Sequence, residues 1–175
     1  GLKLGLTNNY HYKIYSHNEN FWNEPNPINT MYSGFTAADG HLSKITTENR
    51  RRSFQILIQA RDKNYLETFR KMVKFTGNIK DRIKDGHSYV RLRIASCNQW
   101  YKDLEKNFNI QPQKTYRLGP PNIYDIYLKL CYLIGYTDGD GCISFQGPEK
   151  APRSFGRLSF IYVSESYDIL IGLKN

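Results

Sequence analysis

Ten residues near the start of the chain return 101 positions later. Gly34-Phe35-Thr36-Ala37-Ala38-Asp39-Gly40-His41-Leu42-Ser43 is echoed by Gly135-Tyr136-Thr137-Asp138-Gly139-Asp140-Gly141-Cys142-Ile143-Ser144, with five of the ten identical. Phe35 becomes Tyr136 and Leu42 becomes Ile143, changes that keep size and character. A repeat at this spacing points to duplication of one small α/β unit, and it limits the architecture to two copies of that unit.

The residues ahead of each copy read as helix. The pattern is clearest in Tyr124, Tyr127, Leu128, Cys131 and Ile134, whose i, i+3, i+4 spacing lines one face, and an Asp-Gly then ends the helix. After the first copy, Phe54 to Gln59 reads as a strand, and Leu66, Phe69 and Val73 mark an amphipathic helix closed by Gly77. Asp85-Gly86 joins strands at 79–84 and 87–95 into a hairpin, since both turn residues tolerate positive φ. Asn98 to Asn109, carrying Trp100, Leu104 and Phe108, is a further helix, and 110–122, with Pro112, Pro120 and Pro121, is a linker. The second copy supplies a helix, a strand at Cys142 to Gln146, a strand near Arg157 to Val163 and the start of a helix at Ser166. The predicted class is therefore α+β, as tandem αββαββα units with antiparallel sheets, the second unit incomplete in this chain. The boundaries are an N-terminal arm at 1–29, a first unit at 30–109, the linker at 110–122 and a partial second unit at 123–175. The missing part of the second unit is expected from the same product or from another chain.

The chain carries 25 Lys and Arg against 16 Asp and Glu, a formal charge of +9, which favours polyanionic partners over acidic small molecules. Placement sharpens this. With the strand period of two, Ile79 and Ile83 join Val90, Leu92 and Ile94 on one face of the hairpin, and Lys80, Arg82, Lys84, Tyr89, Arg91 and Arg93 share the other. Solvated sheet faces ordinarily mix acids with bases; this one has five cations, one Tyr and no acid, as a surface that follows phosphates should. Arg50, Arg51 and Arg52 are placed at the tip between the first two strands, and with Gln55 and Arg61 they extend the candidate nucleic-acid contacts.

Other classes are disfavoured. Cys97, Cys131 and Cys142 are odd in number and form no CxxC pair, against a disulfide framework or a cysteine zinc site, and an intracellular, reducing compartment is expected. His11, His17, His41 and His87 have no metal-ligand spacing. No stretch approaches the roughly 20 apolar residues of a membrane span, so no membrane partner is expected.

A single Asp-Gly at a helix end is ordinarily a turn-former; two at matched positions change the odds. Ser33, Gly34 and Ala37, with Gly135 and Gly139, are small enough to let two helix backbones approach closely, which would make Asp39 and Asp140 neighbours. Neighbouring carboxylates repel unless a cation lies between them, and Mg²⁺ (or Mn²⁺) is commonly bound by one or two carboxylates plus waters and substrate phosphates. Beside a cationic sheet, phosphodiester hydrolysis is the natural chemistry.

The chain resembles the LAGLIDADG homing endonucleases. Tyr32 to Gly40 and Leu133 to Gly141 look like that family's nine-residue motif twice over, its last acidic residue falling on Asp39 and Asp140. The resemblance implies a monomer of two pseudosymmetric halves, with saddle-shaped antiparallel sheets related by a pseudo-two-fold on the major groove of a long pseudo-palindromic or asymmetric double-stranded DNA site. It implies double-strand cleavage leaving short 3′ overhangs, and intron- or intein-associated mobility as the biology. It further implies Asp39 and Asp140 as catalytic metal ligands, Ala38 and Gly139 beside them at the metal, and Gln59, the polar residue ending the second strand, ordering water. At two places the chain departs from the pattern: Ser96-Cys97-Asn98 stands where a Lys is common, and Ala37 where the first motif often has an acid. A second function class would reuse the same basic saddle, namely an RNA-binding group I intron maturase or a nuclease-inactive component of a ribonucleoprotein, with intron RNA as ligand. The retained Asp39 and Asp140 favour the endonuclease.

Overall fold

The structure is a computed structural model that describes residues 15–44, 52–146 and 157–174. The first repeat opens with helix α1 (Pro27–Asp39), whose start is fixed by a reciprocal cap. The Asn26 side chain accepts from the amides of Ile28 and Asn29, and the Asn29 side chain accepts from the Asn26 amide, so three otherwise unpaired donors are satisfied. Strands β1 (Gly40–Leu42), β2 (Ser53–Gln59), β3 (Lys80–Lys84) and β4 (His87–Ala95) form an antiparallel sheet in the order β1-β2-β4-β3, with α2 (Lys63–Met72) after β2 and α3 (Asn98–Phe108) after β4. The second repeat runs α4 (Ile126–Asp140), β5 (Gly141–Gln146), β6 (Arg157–Tyr162) and α5 (Tyr167–Lys174). The first unit is thus αββαββα, and among the described residues the second has no counterpart of β3, β4 and α3.

Strand alternation turns Phe54, Ile56 and Ile58 of β2 to the same side as Val90, Leu92 and Ile94 of β4. On that side Leu66 and Phe69 of α2 close the core with Trp100, Leu104 and Phe108 of α3, all five fully buried. Several aromatic edges meet faces, as where Trp22 meets Trp100 with centroids 5.8 Å apart at 87°, a geometry that adds to the burial of area alone.

The two repeats join through α1 and α4. A methyl group on Gly34 would overlap the Tyr132 carbonyl, and one on Gly135 would overlap the Met31 carbonyl. Gly139 faces the Ala38 side-chain methyl instead. The small residues therefore do what their placement suggested, and backbone lies against backbone.

Several sequence expectations need correction. The described part of the arm expected over 1–29 is anchored to the core: Trp22 is fully buried, the Trp100 indole N–H donates to the Asn18 carbonyl at 2.8 Å, and the Asn107 amide donates to the Trp22 and Asn23 carbonyls at 2.8 and 2.9 Å. Residues 1–14 lie outside the described ones. Helix α2 is closed by Lys74 at φ 51, not by Gly77, because the Lys74 amide reaches the Lys71 carbonyl and the Phe75 amide the Arg70 carbonyl, the paired bonds of a left-handed helix end. Ile83, expected in the core, is 82% exposed, since it sits near the end of the edge strand β3, where no described element covers it. On α4, Cys131 is buried as expected, whereas Tyr127 and Ile134 are open and Tyr124 precedes the helix.

Two predictions test this arrangement. Gly34→Val should lower stability by about 3 kcal/mol through overpacking, read as a shift in the urea midpoint at constant m. Trp22→Ala should cost about 3–5 kcal/mol by the same measurement, whereas a residue in a detached arm would cost almost nothing.

Candidate catalytic centre and nucleic-acid face

Each repeated acid is the last residue of its helix, and the glycine that follows is extended, at φ −74 for Gly40 and −88 for Gly141, turning the chain directly into β1 and β5. The backbone contact of α1 with α4 brings these two ends together. A Cβ on Gly139 would stand 3.4 Å from Asp39 Oδ2. Although Asp39 opens to solvent at one edge, burial raises its carboxyl above the ordinary range, the like charge of Asp140 raises it further, and Lys114 opposes both. Burial also raises Asp140, again opposed by Lys114. Asp39 and Asp140 are neighbours, as the repeat suggested.

A cavity opens on each side of the helix pair, and the strand registers show that the two correspond. Gly40 pairs with Ile56 and Gly141 pairs with Tyr162, so Gln59 and Glu165, each three residues farther on, occupy matching places. The cavity on the side of the first unit, of ≈ 690 Å³, is lined by Asp39, Asp138, Gly139, Gln59 and Tyr65. Its counterpart, of ≈ 350 Å³, is lined by Asp140, Ala37, Ala38, Tyr136, Glu165 and Lys114. In the repeat Asp138 matches Ala37 and Gly139 matches Ala38, so equivalent positions line the two cavities with different chemistry. The Tyr65 hydroxyl is buried without a hydrogen-bond partner, and its acidity is suppressed by burial, then by Tyr32, Asp138 and Asp39.

Lys114 was not anticipated. It begins a short 3-10 turn (Lys114–Tyr116) after Gln113, which adopts φ 61, and its ammonium donates to the carbonyls of Ala37 and, at 2.7 Å, Ala38. A cation suits this place, because the last carbonyls of a helix carry its negative end. Burial lowers the Lys114 pKa, with Asp140 and then Asp39 opposing that shift. The Ala38 carbonyl, expected at a metal, is therefore already engaged by an ammonium. Nor is 110–122 a bare linker: Ile110 and Leu118 are buried, and the Ser166 hydroxyl donates to the Leu118 carbonyl at 2.6 Å. Alignment of the two strand registers could have found Glu165; no sequence pattern marks Lys114.

The outer face of the sheet carries the predicted cations and extends them. Lys80 pairs with Arg91, and Arg82 with Tyr89. Gln55 pairs with Arg93, and Gln59 with Tyr89, so both glutamines join that face beside Lys84. Among the described residues it holds no acid; Asp81 points to the opposite face, 3.8 Å from Lys63. The Arg91 charge is disfavoured first by burial and then by Arg82 and Arg93, mutual repulsion that a polyanion would relieve. Arg61 lines the rim of the larger cavity, 3.6 Å from Asp62. Arg52 differs from expectation, because its guanidinium lies 5.1 Å above the Tyr101 ring and engages α3 instead of the outer face; Arg50 and Arg51 lie outside the described residues.

The larger cavity offers hard oxygen donors from Asp39, Asp138 and Gln59. Such a set suits Mg²⁺, which accepts one or two carboxylates and keeps waters and phosphate contacts. No cluster of three or more His, Cys, Asp or Glu able to hold a metal occurs among the described residues, and no helix there is long and apolar enough to cross a membrane.

No family model and no curated protein matches the chain. Among solved structures it is similar to the LAGLIDADG meganuclease I-AabMI bound to uncleaved DNA, at 17% identity and TM-score 0.45 over 78% of this chain and 66% of that one. It is similar also to the LAGLIDADG homing endonuclease I-GzeII in complex with its DNA target, at 18% identity and TM-score 0.46 over 78% and 65%. A third is the I-LtrWI LAGLIDADG homing endonuclease bound to target DNA, at 12% identity and TM-score 0.42 over 76% and 65%. The chain spans just under two thirds of the length of those structures.

Proposed function

We propose that the chain acts as a site-specific, divalent-cation-dependent DNA endonuclease of the homing type, serving the mobility of an intron or intein. The observation that carries this reading is the pairing of Asp39 with Asp140 at two helix ends, beside a sheet face whose described residues include five cations and no acid. Lys80, Arg82, Lys84, Arg91 and Arg93 follow the phosphates and set register, while Gln55 and Tyr89 on the same face address base edges in the major groove. Asp39 and Asp138, which line the larger cavity, would hold Mg²⁺ or Mn²⁺ through their carboxylate oxygens, and Gln59 beside them would orient water toward the scissile phosphate. When bound, the cation supplies a more acidic water and offsets charge on the phosphoryl and departing 3′ oxygens. The Tyr65 hydroxyl, protonated at neutral pH and without a partner in the unliganded chain, would be available to donate to a phosphate oxygen.

Selection from a randomised duplex library with Mg²⁺ would identify the target, and on that target two outcomes are expected. Asp39→Asn should slow cleavage by at least about 100-fold while leaving the dissociation constant, measured in Ca²⁺, within about threefold; undiminished cleavage would falsify the reading. Affinity should fall with salt along a log–log slope of about −5 or steeper if six or so phosphates are contacted, and Arg91→Ala with Arg93→Ala should flatten that slope by about 2.

A further inference from the structure

The two cavities occupy equivalent places in the repeat but are not electrostatically equivalent. Asp39 and Asp138 line the larger one together with Arg61, which lies 3.6 Å from Asp62, and Lys114 bears on Asp39 less than burial and Asp140 do. In the smaller one Asp140 and Glu165 share the space with Lys114. The place matching Asp138 holds only Ala37, and the ammonium binds the carbonyls of Ala37 and Ala38. Two of its three donors are thereby held by backbone, so its position is set by α1 and not by a mobile carboxylate.

We propose that Lys114 is a built-in cation that takes the place of a divalent ion beside Asp140, so that the chain loads one divalent ion, on the Asp39 side, and cuts one DNA strand ahead of the other. The inference rests on the proposed endonuclease activity and adds strand order to it. At the Asp39 side a water oxygen bonds to phosphorus, the bond from phosphorus to the 3′ oxygen breaks, and one proton of the water ends on that oxygen, leaving a 5′ phosphate and a 3′ hydroxyl. At the Asp140 side Lys114 offsets the Asp140 charge and has one donor left for phosphate, but it supplies no Lewis acid. A second divalent ion there would have to displace it, because like charges at such a distance repel strongly where water is partly excluded. Nicked product therefore builds up before linear product.

Titration of the whole chain with Mn²⁺ alone, read by loss of the free-ion EPR signal, tests the inference apart from cleavage. One tight equivalent is expected for the unaltered chain. Asp39→Asn should weaken it at least tenfold and Asp140→Asn by no more than about twofold. Lys114→Gln, which keeps a donor for the helix carbonyls and removes the charge, should add a second equivalent, and on supercoiled plasmid carrying the target it should shorten the life of the nicked form. Two equal equivalents in the unaltered chain, or loss of binding in Asp140→Asn, overturns the inference while leaving the endonuclease reading intact. A single equivalent in a folded Lys114→Gln chain overturns it too. If no form binds Mn²⁺, the cation-dependent reading and this inference fall together. Should Lys114→Gln fail to fold, the two Asp variants still decide.

Discussion

The centre of this molecule depends on how closely two helix backbones can approach. At Gly34 and Gly135 the carbonyls of Tyr132 and Met31 occupy the places where side chains would begin, and no larger residue fits without separating the helices. Small polar residues on α1 fit this contact where the helix itself satisfies them, as at Ser33, while the Thr36 hydroxyl is buried without a partner. Ser33, fully buried, donates its hydroxyl to the Thr30 carbonyl at 2.7 Å, which removes most of the penalty for taking a hydroxyl out of water. With the helices in contact, the following glycines can only launch β1 and β5 outward on opposite sides. Positions of the acids, the strands and both cavities follow from that one approach.

Charge is arranged around this centre in two layers. The helix ends gather carboxylates, and the sheet beyond gathers cations, with Arg91 sharing its surroundings with Arg82 and Arg93. Neither layer is comfortable alone, since each concentrates like charge. A polyanion meeting the outer layer and a cation meeting the inner one would relieve both, so the apparent electrostatic cost in the unliganded chain is the counterpart of binding energy. Lys114 relieves part of the inner layer in advance.

Much of this was legible in the sequence because it is local. The doubled motif, the alternation of Phe54 to Ile58 and the Asp85-Gly86 turn, observed at φ 51 and 75, each depend on residues within a few positions of one another. What escaped was non-local. Lys114 reaches carbonyls 76 and 77 positions away, and no period marks a residue whose role depends on where a connecting segment happens to pass. Trp22 belongs to no helix or strand, so its burial had no pattern to show it. Ile83 illustrates a different limit: alternation tells which face a side chain takes, and says nothing about whether another element covers that face.

Joining the two halves in one chain has a consequence for how such a centre can change. In an assembly of identical subunits, one altered codon alters both halves, and any trial at one cavity is imposed on the other. Here Ala37 and Asp138 are separate codons, as are Gln59 and Glu165, and Lys114 lines one cavity and not the other. Mutation can tune one side while the other holds its composition, so the pair is free to drift apart without either half losing the contact that builds it. Covalent linkage converts a symmetry constraint into two nearly independent histories.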